Sequence, residues 1–144
     1  MTEQTTPPFP ITQILVPVDM RHKEASRLAI ESAAYLAGPA GANVSILTVT
    51  NPLGTHLTEM PEARKPEFDA FVAEEAERLG HAITPLFESH EAVNETIQKV
   101  IAKHGVDFVV MATHHPRLTD HLFGSHASQT ALHANCSVLI LRGG

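Results

Sequence analysis

Several residue types and patterns that mark common protein classes are scarce or missing in this sequence. Cys136 is the single cysteine among 144 residues, so no internal disulfide can form, which favours a reducing compartment. Ten lysines and arginines stand against sixteen acidic residues, a net charge of −6, and this disfavours nucleic-acid binding, which usually needs a basic stripe. No apolar run approaches the ~20 residues of a membrane span. We therefore expect a cytoplasmic protein with neither a nucleic-acid partner nor membrane insertion.

The chain length predicts a single domain with a substantial core. Residues 1–10 are polar and rich in threonine and proline, and they lack the charged and apolar regions of a signal peptide. We expect a flexible N-terminal tail over 1–10 and one domain over 11–144. The thiol of Cys136 is expected to act as a small buried apolar group.

Apolar runs alternate with segments of helical periodicity along the chain. Strands are predicted at 14–18, 44–49, 82–87, 106–112 and 137–141. Helices are predicted at 23–36, 67–79, 91–103 and 125–133. This alternation predicts right-handed β-α-β units. The expected fold is α/β, a three-layer doubly wound domain whose five-stranded parallel sheet has the order 3-2-1-4-5.

Prolines and glycines set the predicted ends of these elements. The pair Gly38-Pro39 is predicted to stop the first helix, and Pro85 predicts an edge position for the third strand. Residues 53–66 are predicted to form a long loop, which is either a functional lid or a surface excursion. The apolar stripe of the first helix is predicted to comprise Leu28, Ala29, Ser32, Ala33 and Leu36.

The segment 109–125 carries the strongest functional signal. A buried strand is followed by a polar loop, and then Gly124-Ser125 opens a helix. A helix N-terminus presents free N–H groups and a positive dipole end, an arrangement that suits a phosphate. If the first and fourth strands are neighbours, Asp19 and the loop from 112 to 125 face one crevice at the carboxyl edge of the sheet. The pattern therefore predicts nucleotide binding.

These segments resemble the universal stress protein family over nearly the whole chain after residue 10. The resemblance is carried by residues 14–19, 47–49 and 136–142 and by the pair Gly124-Ser125. ATP-binding members have Gly-x-x-Gly, nine residues and then Gly-Ser or Gly-Thr. Here Ala112 and His115 replace the two glycines, and eight residues precede Gly124. This variant is similar to the F and G subclass of bacterial stress proteins, which carries Ser-His-Arg-Pro and the same shorter loop.

The resemblance implies an adenine nucleotide alpha hydrolase-like fold and a bound ATP, with or without Mg²⁺. It implies that Asp19 contacts the ribose hydroxyls. The residues implied to line the adenine slot are Pro17, Val18 and Val49. Those implied at the adjoining strand end, where a small side chain admits the ligand, are Met111 and Ala112. Those implied near the ribose and phosphates are His114, His115, Gly124, Ser125 and the N–H of His126.

Several alternatives stay open at this stage. Asp19 is equally suited to cap the next helix, and Gly124-Ser125 could be a plain helix start. The histidines between 114 and 133 could bind a metal ion, although partners at helical spacing are lacking and a place beside phosphate is simpler. If some of them titrate near neutrality, binding would depend on pH.

The chain has no Walker loop and no recognisable acidic pair for Mg²⁺, so we expect a sensor or regulator with slow or no hydrolysis. The apolar last strand, 137–141, would expose an unpaired edge. The family pairs this strand with its copy in a second subunit, which implies a homodimer or a tetramer. The alternative function is that of a stress-response interaction protein that acts through dimerisation without a nucleotide, and a slow ATPase is a third.

Overall fold

A computed structural model of the chain describes residues 7–51, 61–113 and 125–142. The strands are β1 (Gln13–Pro17), β2 (Asn43–Thr50), β3 (Ile83–Ser89), β4 (Phe108–Thr113) and β5 (Ser137–Arg142). The helices are α1 (Lys23–Ala40), α2 (Lys65–Leu79), α3 (Val93–Lys103) and α4 (Ser125–His133). All strands pair in parallel in the order β3-β2-β1-β4-β5, which confirms the predicted fold class and strand order.

The sheet is covered on both faces because its central strands alternate apolar side chains to either side. From β1, Ile14 and Val16 pack against α1 and α2, whereas Leu15 packs with residues of α3 and α4. The same alternation in β4 sends Val110 to the first face and Val109 to the second. Two separate apolar clusters result, one on each face of the sheet.

The predicted end of the first helix is wrong. Helix α1 continues through Gly38 and Pro39 to Ala40 and ends at Gly41, which has a φ of 66°. Pro39 lies in the last turn, where the N–H that it lacks removes only one helical hydrogen bond. The left-handed conformation that ends the helix falls to Gly41, since glycine adopts it without strain.

One member of the predicted α1 stripe is also wrong. Leu28 is 39% exposed, whereas Ile30 and Ala37, absent from the predicted stripe, are buried with Ala29 and Ala33. The buried side is therefore rotated away from Leu28. The contact that α1 makes with both the sheet and α2 selects this side, and short-range periodicity does not specify it.

The region between β2 and α2 is partly described. Residues 52–60 lie outside the described residues, but Pro61–Arg64 form a 3-10 turn and α2 begins at Lys65. The predicted loop therefore ends too late, because Pro66 lies in the first turn of α2, where a missing N–H is harmless. Strand β3 is an edge strand that contains Pro85, as predicted.

Contacts at the amino edge of the sheet hold the start of the chain against β4. The carboxylate of Asp107 accepts hydrogen bonds from the backbone N–H groups of Thr12 and Gln13 and from the Thr12 hydroxyl. Within the segment predicted as a tail, the Phe9 ring stacks on Phe108 with 5.9 Å between ring centroids. In the described part of the chain, no helix is both long and apolar enough to cross a membrane.

A fully buried carboxylate links α1 and α2. The side chain of Glu75 has no exposed surface and accepts two hydrogen bonds from Arg78, at 2.9 and 3.0 Å. The Nε of Arg27 on α1 lies 3.6 Å from the same carboxylate. Arg78 also lies 3.5 Å from Glu31 on α1. This charged group was not predicted, although Glu75 follows Phe71 by four residues and Phe68 by seven and so lies on the apolar side of α2. The partners that compensate its burial come in part from α1.

Candidate functional site at the carboxyl edge of the sheet

The carboxyl ends of β1 and β2 lie side by side. Pro17 is in register with Leu47, and the N–H of Val18 donates to the Leu47 carbonyl at 2.8 Å, one residue beyond the end of β1. The buried Thr48 hydroxyl donates to the Val18 carbonyl at 3.3 Å. These bonds fix the chain up to Val18, so Asp19 emerges at a defined place on the edge. Val49 follows on the neighbouring strand.

Strand β4 ends at the same edge and completes it. Met111, Ala112 and Thr113 are in register with the last residues of β5, and Thr113 pairs with Arg142. Ala112 is partly buried on the α1 and α2 face, which it shares with Val18. Met111 is buried on the opposite face, and Val49 packs against that face too. The edge thus presents a small side chain at Ala112 and apolar groups on both sides of it.

Asp19 caps the turn that leads into α1. Its side chain accepts from the N–H of Arg21 at 2.9 Å, and its two oxygens bind the Arg21 guanidinium at 3.0 and 2.9 Å. Partial burial raises the pKa of this carboxyl, but the Arg21 hydrogen bonds and charge outweigh it and hold the pKa below its usual range. The capping role left open above is therefore present, and any ribose hydroxyl at Asp19 would share these oxygens with Arg21.

The N-terminus of α4 lies at the carboxyl edge as well. Ser137 is in register with Phe108, the first residue of β4, so the chain must return to the amino edge before β5 begins. Helix α4 makes this return and ends at His133, which places Ser125 and His126 at the carboxyl edge. The described part of α4 begins at Ser125, as predicted, and its free N–H groups there suit an anion.

Helix α3 contributes a residue that the sequence analysis missed. The Nδ1 of His126 lies 2.6 Å from the Oδ1 of Asn94, in the first turn of α3. This bond joins the N-termini of α3 and α4. Asparagine is a common side chain in a first turn, so position alone did not mark Asn94. The sequence feature that could have identified Asn94 is the order of the elements: α3 follows β3, so the first turn of α3 must lie at the carboxyl edge.

Two arginines to which the sequence analysis gave no role in the ligand site lie at this edge, Arg21 beside Asp19 and Arg142 at the end of β5. His114, His115 and Gly124 lie outside the described residues, as does the side chain of Ser125. Within the described ranges, no three histidine, cysteine or acidic side chains are grouped so that they could hold a metal ion.

Comparison with known proteins gives a consistent result for the whole domain. A sequence model of the universal stress protein family matches residues 10–142. Universal stress protein G of Salmonella typhimurium is 30% identical over 139 residues, which cover 90% of this chain and 97% of that protein.

Solved structures show the same fold. A universal stress protein in complex with cAMP has a TM-score of 0.72 at 17% identity, over 92% of this chain and 98% of that one. The universal stress protein from Archaeoglobus fulgidus in complex with dAMP has a TM-score of 0.70 at 19% identity, over 90% and 96% of the two chains.

Proposed function

Because this chain belongs to the universal stress protein family, we propose that it binds an adenine nucleotide, with ATP as the expected ligand, and acts as a sensor or regulator in a stress response. Nucleotide binding stabilises one conformation or assembly of the protein over another. The difference between the nucleotide's affinities for the two conformations or assemblies sets the size of the response. We infer a cytoplasmic location from the acidic composition and the single cysteine.

The observation that carries this proposal is the convergence at the carboxyl edge. The ends of β1, β2 and β4 and the N-terminus of α4 meet there. In doubly wound sheets, ligands bind outside the carboxyl ends of the strands, where the strand order reverses. In the order β3-β2-β1-β4-β5 that point lies between β1 and β4. This edge offers apolar side chains for a base and a helix N-terminus for a phosphate.

The proposed roles follow this arrangement. Pro17, Val18 and Val49 would line the adenine slot. Met111 and Ala112 would lie at the adjoining strand end, where a small side chain lets the ligand approach. Asp19 would accept from the ribose while Arg21 keeps its carboxyl ionised. Gly124, Ser125 and the N–H of His126 would hold the phosphates, with His114 and His115 close by. These phosphate roles rest on the sequence, apart from the placement of the α4 backbone.

Two relatives support the class of ligand. The proteins solved with cAMP and with dAMP share this fold, and both ligands are adenine nucleotides with a single phosphate. A triphosphate would need more positive charge at the edge than a monophosphate. Arg142 and the α4 N-terminus can supply it, with Mg²⁺ as an additional counter-charge.

Slow or absent hydrolysis is the expected chemistry. Rapid phosphoryl transfer needs fixed cations and a positioned nucleophile. At this edge Arg21 is already bound to Asp19, and the sequence has no Walker loop to supply a phosphate lysine. A turnover assay of the purified protein, with and without Mg²⁺, distinguishes a binding protein from a slow ATPase.

We also propose that the protein forms a homodimer through β5. This strand lies at the sheet edge, and its apolar residues from Val138 to Leu141 are only partly buried. Such an edge is a template for pairing with a second copy, which would cover it symmetrically. The same observation favours the second candidate function, an interaction protein that acts through dimerisation alone.

Calorimetric titration with ATP and AMP separates the two functions. We expect saturable binding by the wild-type protein and at least a tenfold loss of affinity in Gly124→Asp, because a new carboxylate would repel phosphate. Gly38→Asp is the matched control, since a Cβ at Gly38 meets no atom within 4 Å and this residue is in α1, away from the edge. The absence of saturable binding, or equal affinities in both variants, would contradict the nucleotide proposal.

A further inference from the structure

The two carboxylate oxygens of Asp19 are occupied to different extents by the same neighbour. Oδ1 accepts from the backbone N–H of Arg21 at 2.9 Å and from the Nε–H of its guanidinium at 3.0 Å. Oδ2 accepts from the Nη2 of Arg21 at 2.9 Å. Arg21 therefore supplies two hydrogen bonds to Oδ1 and one to Oδ2.

These bonds limit what else the Asp19 carboxylate can accept. Each carboxylate oxygen has two lone pairs, so an ionised aspartate accepts about four hydrogen bonds. Arg21 takes both positions on Oδ1 and one position on Oδ2. Counted over the part of the chain that the structure describes, at most one position is left, and it lies on Oδ2.

The contact between Arg21 and Asp19 is stronger than an ordinary surface ion pair. The side chain of Arg21 is 80% exposed, and a single exposed pair usually contributes little to stability. Here the guanidinium binds both oxygens, which is the geometry in which such pairs are strongest. The two residues also lie in one short turn, which the N–H of His22 closes by donating to the Asp19 carbonyl at 2.8 Å.

A ribose hydroxyl competes poorly with the guanidinium for these oxygens. The hydroxyl is a neutral donor, whereas a hydrogen bond between two ionised groups is shorter and stronger. The Asp19 side chain is partly exposed, so a ligand at the carboxyl edge can reach it. We therefore expect a hydroxyl to take the remaining position on Oδ2 without displacing Arg21. The carboxylate then cannot accept from the 2′ and 3′ hydroxyls together.

We propose that Arg21 is a specificity-determining residue that restricts Asp19 to a single ribose hydroxyl. The inference rests on the proposed nucleotide function, since it concerns the ribose of the same ligand. The site then accepts ribonucleotides and also those monodeoxy nucleotides that retain the recognised hydroxyl. Arg21 acts through Asp19 as a positioning residue and need not contact the nucleotide itself.

The affinities of the full chain for ATP, 2′-deoxy-ATP and 3′-deoxy-ATP test this proposal. Contacts with the adenine and the phosphates cancel in the ratios of these affinities, so the ratios report the ribose alone. The loss of a hydrogen bond to a charged group lowers the affinity about tenfold or more. For the wild-type protein we expect one analogue to bind about tenfold more weakly than ATP and the other to bind within about threefold of ATP.

The variant Arg21→Ala leaves the backbone N–H on Oδ1 but removes both guanidinium donors, so Asp19 can accept from both hydroxyls. We expect each analogue to bind this variant about tenfold more weakly than ATP does. Lys23→Ala is the matched control, because it removes the same charge two residues away, where Lys23 pairs with Glu67 at 3.3 Å. It should keep the wild-type ratios. In Asp19→Ala all three nucleotides should bind within about threefold of one another.

The outcomes separate the inference from the proposed function. The same ratios in Arg21→Ala as in the wild-type protein overturn the role of Arg21, as do wild-type ratios in which both hydroxyls matter or neither does. An equal change in Lys23→Ala overturns it by assigning the effect to charge. Discrimination that persists in Asp19→Ala overturns it because another residue then recognises the ribose. The absence of saturable ATP binding in every protein overturns the proposed function and the role of Arg21 with it.

Discussion

The buried carboxylate between α1 and α2 yields a sharp prediction about stability. Replacement of Arg78 by alanine removes both short hydrogen bonds to Glu75, whose side chain is fully buried. Only Arg27 then remains near the carboxylate, at 3.6 Å. The variant therefore leaves the buried carboxylate with one distant partner. Removal of one member of a buried ion pair is strongly destabilising because the charge that remains is poorly compensated.

The magnitude follows from the number of bonds and their exposure. Each hydrogen bond to a charged group contributes about 1.5–3 kcal/mol. Arg78 is 41% exposed and Arg27 stays in place, so solvent and the remaining cation reduce the sum. We expect the free energy of unfolding to fall by about 2–4 kcal/mol in Arg78→Ala, which lowers Tm by about 5–15 °C for a domain of this size.

Denaturant unfolding at pH 7 measures this effect against a matched control. Lys65 and Asp69 form a shorter ion pair on the same helix, at 2.8 Å, but their side chains are 53% and 39% exposed. Lys65→Ala should cost less than about 0.5 kcal/mol. If Arg78→Ala costs no more than Lys65→Ala, burial of the carboxylate does not set the energy and the reasoning is refuted. The double variant Arg78→Leu with Glu75→Leu should be more stable than Arg78→Ala, because no unpaired charge remains.

Two further predictions concern the backbone and the amino edge. Gly41→Ala should destabilise the protein by about 1–2 kcal/mol, since Gly41 has a φ of 66°. Gly38→Ala should instead stabilise it by up to about 1 kcal/mol, because Gly38 lies within the last turn of α1. Equal effects in denaturant unfolding would contradict the observed end of α1. Burial raises the pKa of Asp107, but its hydrogen bonds from Thr12 and Gln13 outweigh this and lower the pKa below its usual range. The stability that Asp107 provides is therefore present above about pH 4 and is lost as the pH falls through the lowered pKa. In Asp107→Asn, Tm should therefore fall less steeply as the pH is lowered below about 4. An equally steep fall in the variant and the wild-type protein would contradict this.

Much of the fold could be predicted from short-range patterns. Continuous apolar runs such as that around Leu15 and Val16 identify strands covered on both faces, and Pro85 identifies an edge. These signals depend on a few neighbouring residues. The end of α1 was mispredicted because Gly38 and Pro39 are usual stop signals, but the helix can lose one hydrogen bond in its last turn while packing holds its other residues.

The features that escaped prediction depend on contacts between distant segments. The burial of Glu75 requires arginines from two helices, and the contact between Asn94 and His126 requires that α3 and α4 begin at the same edge. The contact of Arg21 with both oxygens of Asp19 is an exception, because the two residues are only two positions apart; the sequence analysis considered Asp19 as a cap or a ribose contact and gave Arg21 no role. Local composition specifies elements, whereas the partners of charged groups depend on how those elements are assembled.

The central claim is that an adenine nucleotide binds at the carboxyl edge of the sheet, and an NMR titration of the ¹⁵N-labelled protein with ATP tests it most directly. The account predicts saturable shifts of the backbone amides of Val18, Asp19, Ala112 and His126, and little change at Asp107 on the amino edge. Shifts confined to the amino edge, or no saturable shift at millimolar ATP, would contradict it.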